Sequence, residues 1–166
     1  LKSFYKIKRA IANSGYLEAV TFSFMDDKIS KLLSPNAIKI KNPISADLDV
    51  MRPSNIPNLL IAVNQNKSKM ISSGKIFEVG PIFDETLVDR QVNVATGIAY
   101  GNLFGNNWNS ENKDFDVFAI KSDLMKILKS LNAPIENLNY ESINNKVFHP
   151  GKSSSLRIGK NIIANF

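Results

Sequence analysis

The chain has no cysteine and a single histidine, His149. Disulfides and thiolate metal centres are therefore excluded, one imidazole cannot build a zinc site by itself, and a reducing cytosol fits the missing thiols. No apolar run approaches the roughly 20 residues that span a bilayer, and the N-terminus carries no signal-peptide pattern. A soluble protein in the cytoplasm, with no membrane partner, is expected. Arginine is scarce as well, at 4 residues against 17 lysines. The net charge of +6 points to an anionic partner, nucleic acid first. The accompanying excess of lysine, asparagine and isoleucine is also what AT-rich coding sequence produces, which discounts that pointer. The common reactive signatures are missing too: there is no Gly-x-x-x-x-Gly-Lys loop, no Gly-x-Gly-x-x-Gly, no Gly-x-Ser-x-Gly and no His-Glu-x-x-His.

What is present is an ordinary globular composition, 43% hydrophobic and 22% charged over 166 residues. A chain of this size fits one domain that buries about 70% of its unfolded surface. Leu1 is not an initiator methionine and leads at once into a helical pattern, while Ile162 to Phe166 stops inside what reads as a strand. Residues 1–166 are thus expected to form one domain cut from a longer polypeptide.

The stretch from Asn42 to Asn66 organises the rest. Asn42 before Pro43 is pushed out of the α region and starts a turn. Ser54 is placed to cap a helix that Pro57 tolerates in its first turn, with Ile56, Leu59, Leu60 and Val63 on one face. Between turn and helix stands Met51-Arg52-Pro53-Ser54, a planar cation just before a helix N-terminus, which by itself reads as an arginine satisfying nearby carbonyls.

Elsewhere, residues 3–14 place Phe4, Ile7 and Ile11 on one helical face with Lys6, Lys8 and Arg9 opposite, ended by Gly15. Residues 18–24 alternate so that Val20, Phe22 and Phe24 share the buried side of a strand. Asp26 and Asp27 can cap a short helix anchored by Ile29, Leu32 and Leu33 and ended by Pro35. Ile38 and Ile40 mark a short strand. Further strands are expected over 75–83 and 92–100, then an Asn- and Gly-rich loop over 101–113 anchored by Phe104 and Trp108. A helix carrying Phe118, Leu124, Leu128 and Leu131 follows, stopped by Asn132 and Pro134. A strand over 138–141, the turn His149-Pro150-Gly151 and a hairpin from Ser155 to Ile158 and from Ile162 onward complete the chain. The pattern predicts an α+β fold, an antiparallel sheet flanked by helices.

Three spots carry potential chemistry. His149 with Ser153 and Ser154 combines a base with hydroxyls, but its tight turn and the lack of an orienting acid favour structural hydrogen bonding. Asp47 and Asp49 stand two apart, a minimal magnesium pattern that equally suits a solvated loop. Glu78, on the strand over 75–83, either faces inward and needs a cation, for which Arg52 is the candidate, or faces water.

Taken together, these motifs resemble the beta subunit of bacterial phenylalanyl-tRNA synthetase, in its central region folded like a class II synthetase catalytic domain. The similarity rests on Gly15-Tyr16-Leu17-Glu18-Ala19-Val20-Thr21-Phe22-Ser23-Phe24, on Asn42-Pro43-Ile44-Ser45 with Met51-Arg52-Pro53-Ser54, and on Phe77-Glu78-Val79-Gly80. Trp108, Lys121 and His149-Pro150-Gly151-Lys152-Ser153 follow in the same order at compatible spacing. Departures fall at Asn55, where the family usually has Leu, at Ala119 (Asp), and at Ser122 and Ala164 (Gly). The resemblance implies that the C-terminal part of the module would follow Phe166.

The resemblance implies a catalytic-like module without catalysis. An active class II site has Phe-Arg-x-Glu, whose arginine holds the ATP α-phosphate; the similar position here is Glu78, and a carboxylate repels phosphate. It also implies a dimer motif over helix 3–14 and strand 18–24, with Phe4, Tyr5, Ile7, Lys8, Ile11, Tyr16 and Thr21 at a subunit interface. The partner is an alpha subunit in an (αβ)2 heterotetramer. Catalysis, with ATP and Mg2+ as cofactors, and tRNA(Phe) belong to the complete enzyme, and no cofactor, metal or catalytic residue to this segment. Two other readings compete: a domain with its own adenylate-forming site, and an independent RNA-binding domain.

Overall fold

The computed structural model describes residues 2–87, 89–104, 108–109, 113–143 and 147–166. Helix α1, Lys2–Asn13, opens the chain, and Gly15 with φ +86 turns it back. A two-residue strand β1, Leu17–Glu18, runs parallel to β4, Gly74–Phe83, which pairs antiparallel along its whole length with β5, Gln91–Tyr100. Strands β2, Phe24–Met25, and β3, Val50–Met51, make a small antiparallel ladder, with the short helix α2, Asp27–Ser30, between them in sequence. Helix α3, Ile56–Ser68, packs on β4 and β5. Helix α4, Val117–Ser130, packs beside α1, and β6 (Asn139–Glu141), β7 (Ser155–Ile158) and β8 (Asn161–Asn165) close a third antiparallel sheet.

β4 divides the interior. Alternation sends Phe77 and Val79 to one face, where they meet Ile11 of α1 and Tyr16, with Phe4, Ile7 and Ile127 packed around them. Ile76 points the other way, into a cluster with Leu59 and Val63 of α3 and Tyr100 of β5. Among the described residues, no helix is long and apolar enough to cross a membrane.

The expected α+β class is observed, as are the helix expected over 3–14, those expected around Leu59 and Val63 and around Leu124 and Leu128, and the final hairpin, where Gly159 with φ +58 makes the turn. Other expectations are corrected. The strand over 18–24 is reduced to β1 and β2, and Val20 and Phe22 are 87% and 72% exposed rather than buried. The phase is inverted because Thr21 is drawn inward to a carboxylate, which throws its neighbours outward. β1 is also parallel, not antiparallel, to its neighbour. The strand at Ile38 and Ile40 shrinks to one bridge, Lys39 with Val50. α2 ends at Ser30, well before Pro35, with Leu32 in water. Ser54 accepts the Ile56 amide at 3.2 Å, yet the cap position of α3 is Asn55, whose side chain makes no capping bond, and Leu60 lies on the wet face. Phe118 is exposed, and α4 begins instead on Asp116, whose carboxylate accepts the Ala119 amide at 2.7 Å. Phe104 and Trp108 anchor nothing in the core, being 56% and 96% exposed. Within that loop, residues 105–107 and 110–112 lie outside the described residues, as does Leu1.

Gly101 offers a test of the turn after β5. Its φ is +72, and a Cβ there would lie 2.2 Å from the Ser72 carbonyl oxygen, whereas Gly159 has open space around it. Gly159→Ala is expected to lose only the about 1–2 kcal/mol of a left-handed non-glycine residue. Gly101→Ala is expected to lose clearly more, because backbone must move, and urea unfolding of the two variants measures the difference.

Candidate functional site

Arg52 follows β3 and is 1% exposed, and Glu78 stands in the middle of β4 at 4% exposed. Arg52 Nη1 donates to Glu78 Oε1 at 2.8 Å. The same nitrogen donates to Thr21 Oγ1 at 2.9 Å, and that hydroxyl donates in turn to Glu78 Oε2 at 2.7 Å, closing a three-membered ring of charge-assisted bonds. Arg52 Nε donates to the Pro81 carbonyl at 2.9 Å. The Arg52 backbone is engaged on both sides, its amide donating to the Ser23 carbonyl and its carbonyl accepting from the Phe83 amide, each at 2.9 Å. One residue thereby joins the 21–23 segment, β3 and β4. Gly80 makes room for it, since a Cβ at that position would lie 2.7 Å from Arg52 Nη2.

A second polar cluster lies toward α1 and α4, the face that Phe77 and Val79 share. Lys75 Nζ donates to Asp123 Oδ2 at 2.5 Å and to the Ser14 carbonyl at 3.4 Å, and Tyr16 Oη donates to the same carboxylate at 3.3 Å. Lys126 Nζ stands 3.6 Å from Asp123 Oδ1. Burial, followed by the charge of Asp123 and the bond to it, pushes the Tyr16 phenol well above its ordinary value. Beside these groups opens a cavity of about 380 Å³ lined by Ala10, Asn13, Ser14, Lys75, Asp123, Lys126 and Ser130.

The remaining singled-out residues are scattered. Asn42 and Pro43 are exposed, and Met51 is half-buried on β3. Phe77 is 1% exposed in the α1-side core. Lys121 of α4 lies over the Tyr140 ring at 4.1 Å. In the exposed turn, His149 Nδ1 accepts the Gly151 amide at 3.1 Å, and Ser153 Oγ donates to the His149 carbonyl at 2.7 Å rather than to its imidazole, so no base–hydroxyl dyad is formed. Asp49 accepts the Asp27 amide at 2.9 Å, while the Ser45 hydroxyl holds the Asp47 carboxyl below the usual range. Among the described residues no three acidic or histidine side chains gather around a common point. Of the expected interface residues, Ile11 and Tyr16 are turned into the chain's own core and Thr21 is engaged by Glu78. Tyr5 is exposed, Phe4 and Ile7 are half-buried, and Lys8 lies over the Phe4 ring and pairs with Glu18. The Lys75–Asp123–Tyr16 cluster escaped the sequence reading. Its signal was there: Asp123 falls between Ile120 and Ile127 on the apolar stripe of α4, where a carboxylate needs a partner.

Arg52→Ala is expected to cost about 3–5 kcal/mol by stranding the buried Glu78 carboxylate. The double change Arg52→Met with Glu78→Met should cost less than the sum of the singles, by a coupling of about 0.5–3 kcal/mol in a urea double-mutant cycle. For Tyr16, the folded-state value lies above the unfolded one of about 10. The unfolded chain therefore releases this proton first, and the associated stability is intact below about pH 10 and lost as pH rises beyond it. Tyr16→Phe is expected to flatten the alkaline fall of the urea midpoint.

The family model described as "Phenylalanyl tRNA synthetase beta chain CLM domain" matches residues 2–166. Over 162 residues the chain is 36% identical to a protein of Rhodospirillum rubrum named "Phenylalanine--tRNA ligase beta subunit", covering 96% of this chain and 20% of that one. It is 35% identical over 166 residues to the protein of the same name from Mesorhizobium japonicum, covering 96% and 21%. The chain thus spans about a fifth of the length of the curated relatives it matches. Two solved pyrrolysyl-tRNA synthetase structures from Desulfitobacterium hafniense superpose on 99% of it, with TM-scores of 0.71 and 0.72 at 11% and 12% identity, covering 54% and 57% of their own chains. That likeness establishes the fold, that of a class II synthetase. On the family match and the identity to these relatives, the chain belongs to the phenylalanyl tRNA synthetase beta chain CLM domain family.

Proposed function

We propose that this chain is a non-catalytic assembly module of a phenylalanine-tRNA ligase beta subunit, supporting an alpha subunit that activates phenylalanine with ATP and Mg2+ and charges tRNA(Phe) in an (αβ)2 enzyme of the cytoplasm. The single domain over 1–166 is one part of that larger polypeptide. What carries the reading is the state of Glu78. On the family resemblance, the position that corresponds to the phosphate-binding arginine of an active class II site holds a carboxylate here, and that carboxylate is buried and engaged by Arg52 and Thr21. Adenylation develops negative charge on transferring phosphoryl oxygens, and preorganised donors aimed at that charge are the largest stabilising contribution. A buried acid paired inward supplies none, and its own cation, Arg52, is occupied within the chain.

The outer flank of α1 suits a contact role. Tyr5 is 56% exposed, its ring packs edge-on against Phe4 at 6.0 Å, and Leu17 at the start of β1 is 74% exposed. Aromatic and aliphatic side chains standing in water on a helix and its adjoining strand are the composition of an interface core.

The alpha subunit is expected to co-purify with the full-length chain. Tyr5→Glu with Leu17→Glu should reduce the recovered complex at least about tenfold, equal to about 1.4 kcal/mol, while leaving the chain folded by circular dichroism. Calorimetric titration of the full-length chain alone with ATP and Mg2+ is expected to give no heat of binding at micromolar concentrations. Tight ATP binding abolished by Glu78→Ala would transfer the assignment to an adenylate-forming site.

A further inference from the structure

The charge on α1 and α4 is poorly explained by helix stability. α1 holds four basic residues and no acid, and all four stand in its first eight positions, toward the positive end of its dipole. α4 adds Lys121, Lys126 and Lys129 against one acid, the buried Asp123. Some of this charge is already matched within the chain: Lys8 pairs with Glu18 and Lys121 lies over Tyr140, while Asp123, the acid of α4, is taken by Lys75 of β4. Lys6, Arg9 and Lys129 are exposed, and among the described residues no ion pair engages them. Lys126 is 68% exposed and only grazes Asp123. Lys6 precedes Ala10 by one helical turn, so it stands on the flank of α1 that borders the cavity shared with α4. Of the neutral lining of that cavity, Asn13 offers an amide donor, while the Ser14 and Ser130 hydroxyls donate to the Ala10 and Ile127 carbonyls.

We propose that the cleft between α1 and α4 docks the phosphate backbone of RNA, which within the assembly reading above is the tRNA of the ligase, and the inference rests on that reading. The cations are spread along two helices rather than converging on one point, as suits a polyanion. The more deeply buried part of the cavity contains the Asp123 carboxylate, which disfavours a small anion that enters but not a backbone that bridges the rims. Lys6 and Ala10 lie on the opposite flank of α1 from Phe4 and Lys8, so this surface does not compete with the one assigned to the alpha subunit.

The test is tRNA filter binding to the full-length chain, with and without the alpha subunit, across a salt series. Lys6→Gln with Lys126→Gln is compared with the parent and with Lys41→Gln plus Lys160→Gln, an equal loss of charge elsewhere on the surface. The cleft pair is expected to weaken binding about tenfold and to lower the slope of log K against log salt by about 1 to 2, with the control pair near the parent. An unchanged slope, equal losses in both pairs, or no tRNA binding by the parent would overturn the proposal. Competition by polyglutamate as effective as that by tRNA would also overturn it, reassigning the cleft to an acidic protein. Recovery of the alpha subunit from the same preparations is scored separately. Its absence would sink the assembly reading, whereas the slope change addresses only the cleft.

Discussion

A glutamate in the middle of the central strand β4 is an electrostatic liability, and much of the surrounding structure follows from how it is met. An ionised carboxylate withdrawn from water costs several kcal/mol unless partners replace its hydration, and Glu78 receives the Arg52 guanidinium and the Thr21 hydroxyl. Each partner comes from a different part of the chain. The segment after β1 must therefore turn Thr21 inward, Arg52 must follow β3 and lie against β4, and residue 80 must lack a side chain. Pairs of this kind contribute modestly to net stability, yet they penalise every arrangement in which one partner is missing, and here that favours a single register of the 21–23 segment against the sheet.

The opposite face of β4 repeats the device on a smaller scale. Lys75 and Asp123 meet between β4 and α4, with Tyr16 completing the carboxylate's hydrogen bonds, while Phe77, Val79 and Ile11 fill the apolar space beside them. The two clusters are separated by the strand's own alternation: residues 75, 77 and 79 look toward α1 and α4, and 76, 78 and 80 look toward α3 and Arg52. One strand thus carries a salt bridge and an apolar cluster on each side, and the three main helices take their places around it.

The fold is shared with synthetases that are only 11% and 12% identical to this chain. What this chain has in common with them is the helix-flanked, mainly antiparallel core. At position 78 of this chain the strand carries an acid that is met from within, and the pair it makes with Arg52 holds the protein together. The proposed assembly role is in keeping with that inward pairing, and the apolar side chains left in water along α1 and β1 are of the kind that a neighbouring subunit covers.

Helices were legible because their apolar residues recur every three to four positions and their ends carry recognisable stops, as at Gly15 and Asn132, both with positive φ. β4, β5 and the final hairpin were legible from alternation and from Gly159. The ordered motifs from Gly15 to Ser153 identified the family. By itself the sequence thus determined the three main helices, β4, β5 and the final hairpin, the class and the presence of an acid at position 78. Only the tertiary structure decided where that acid points, that Thr21 rather than Val20 and Phe22 faces inward, and that Asp123 finds Lys75 and Tyr16. Local pattern scores each side chain for hydrophobicity alone, whereas a buried ion is located by partners 26 and 57 residues away, whose approach no local period records.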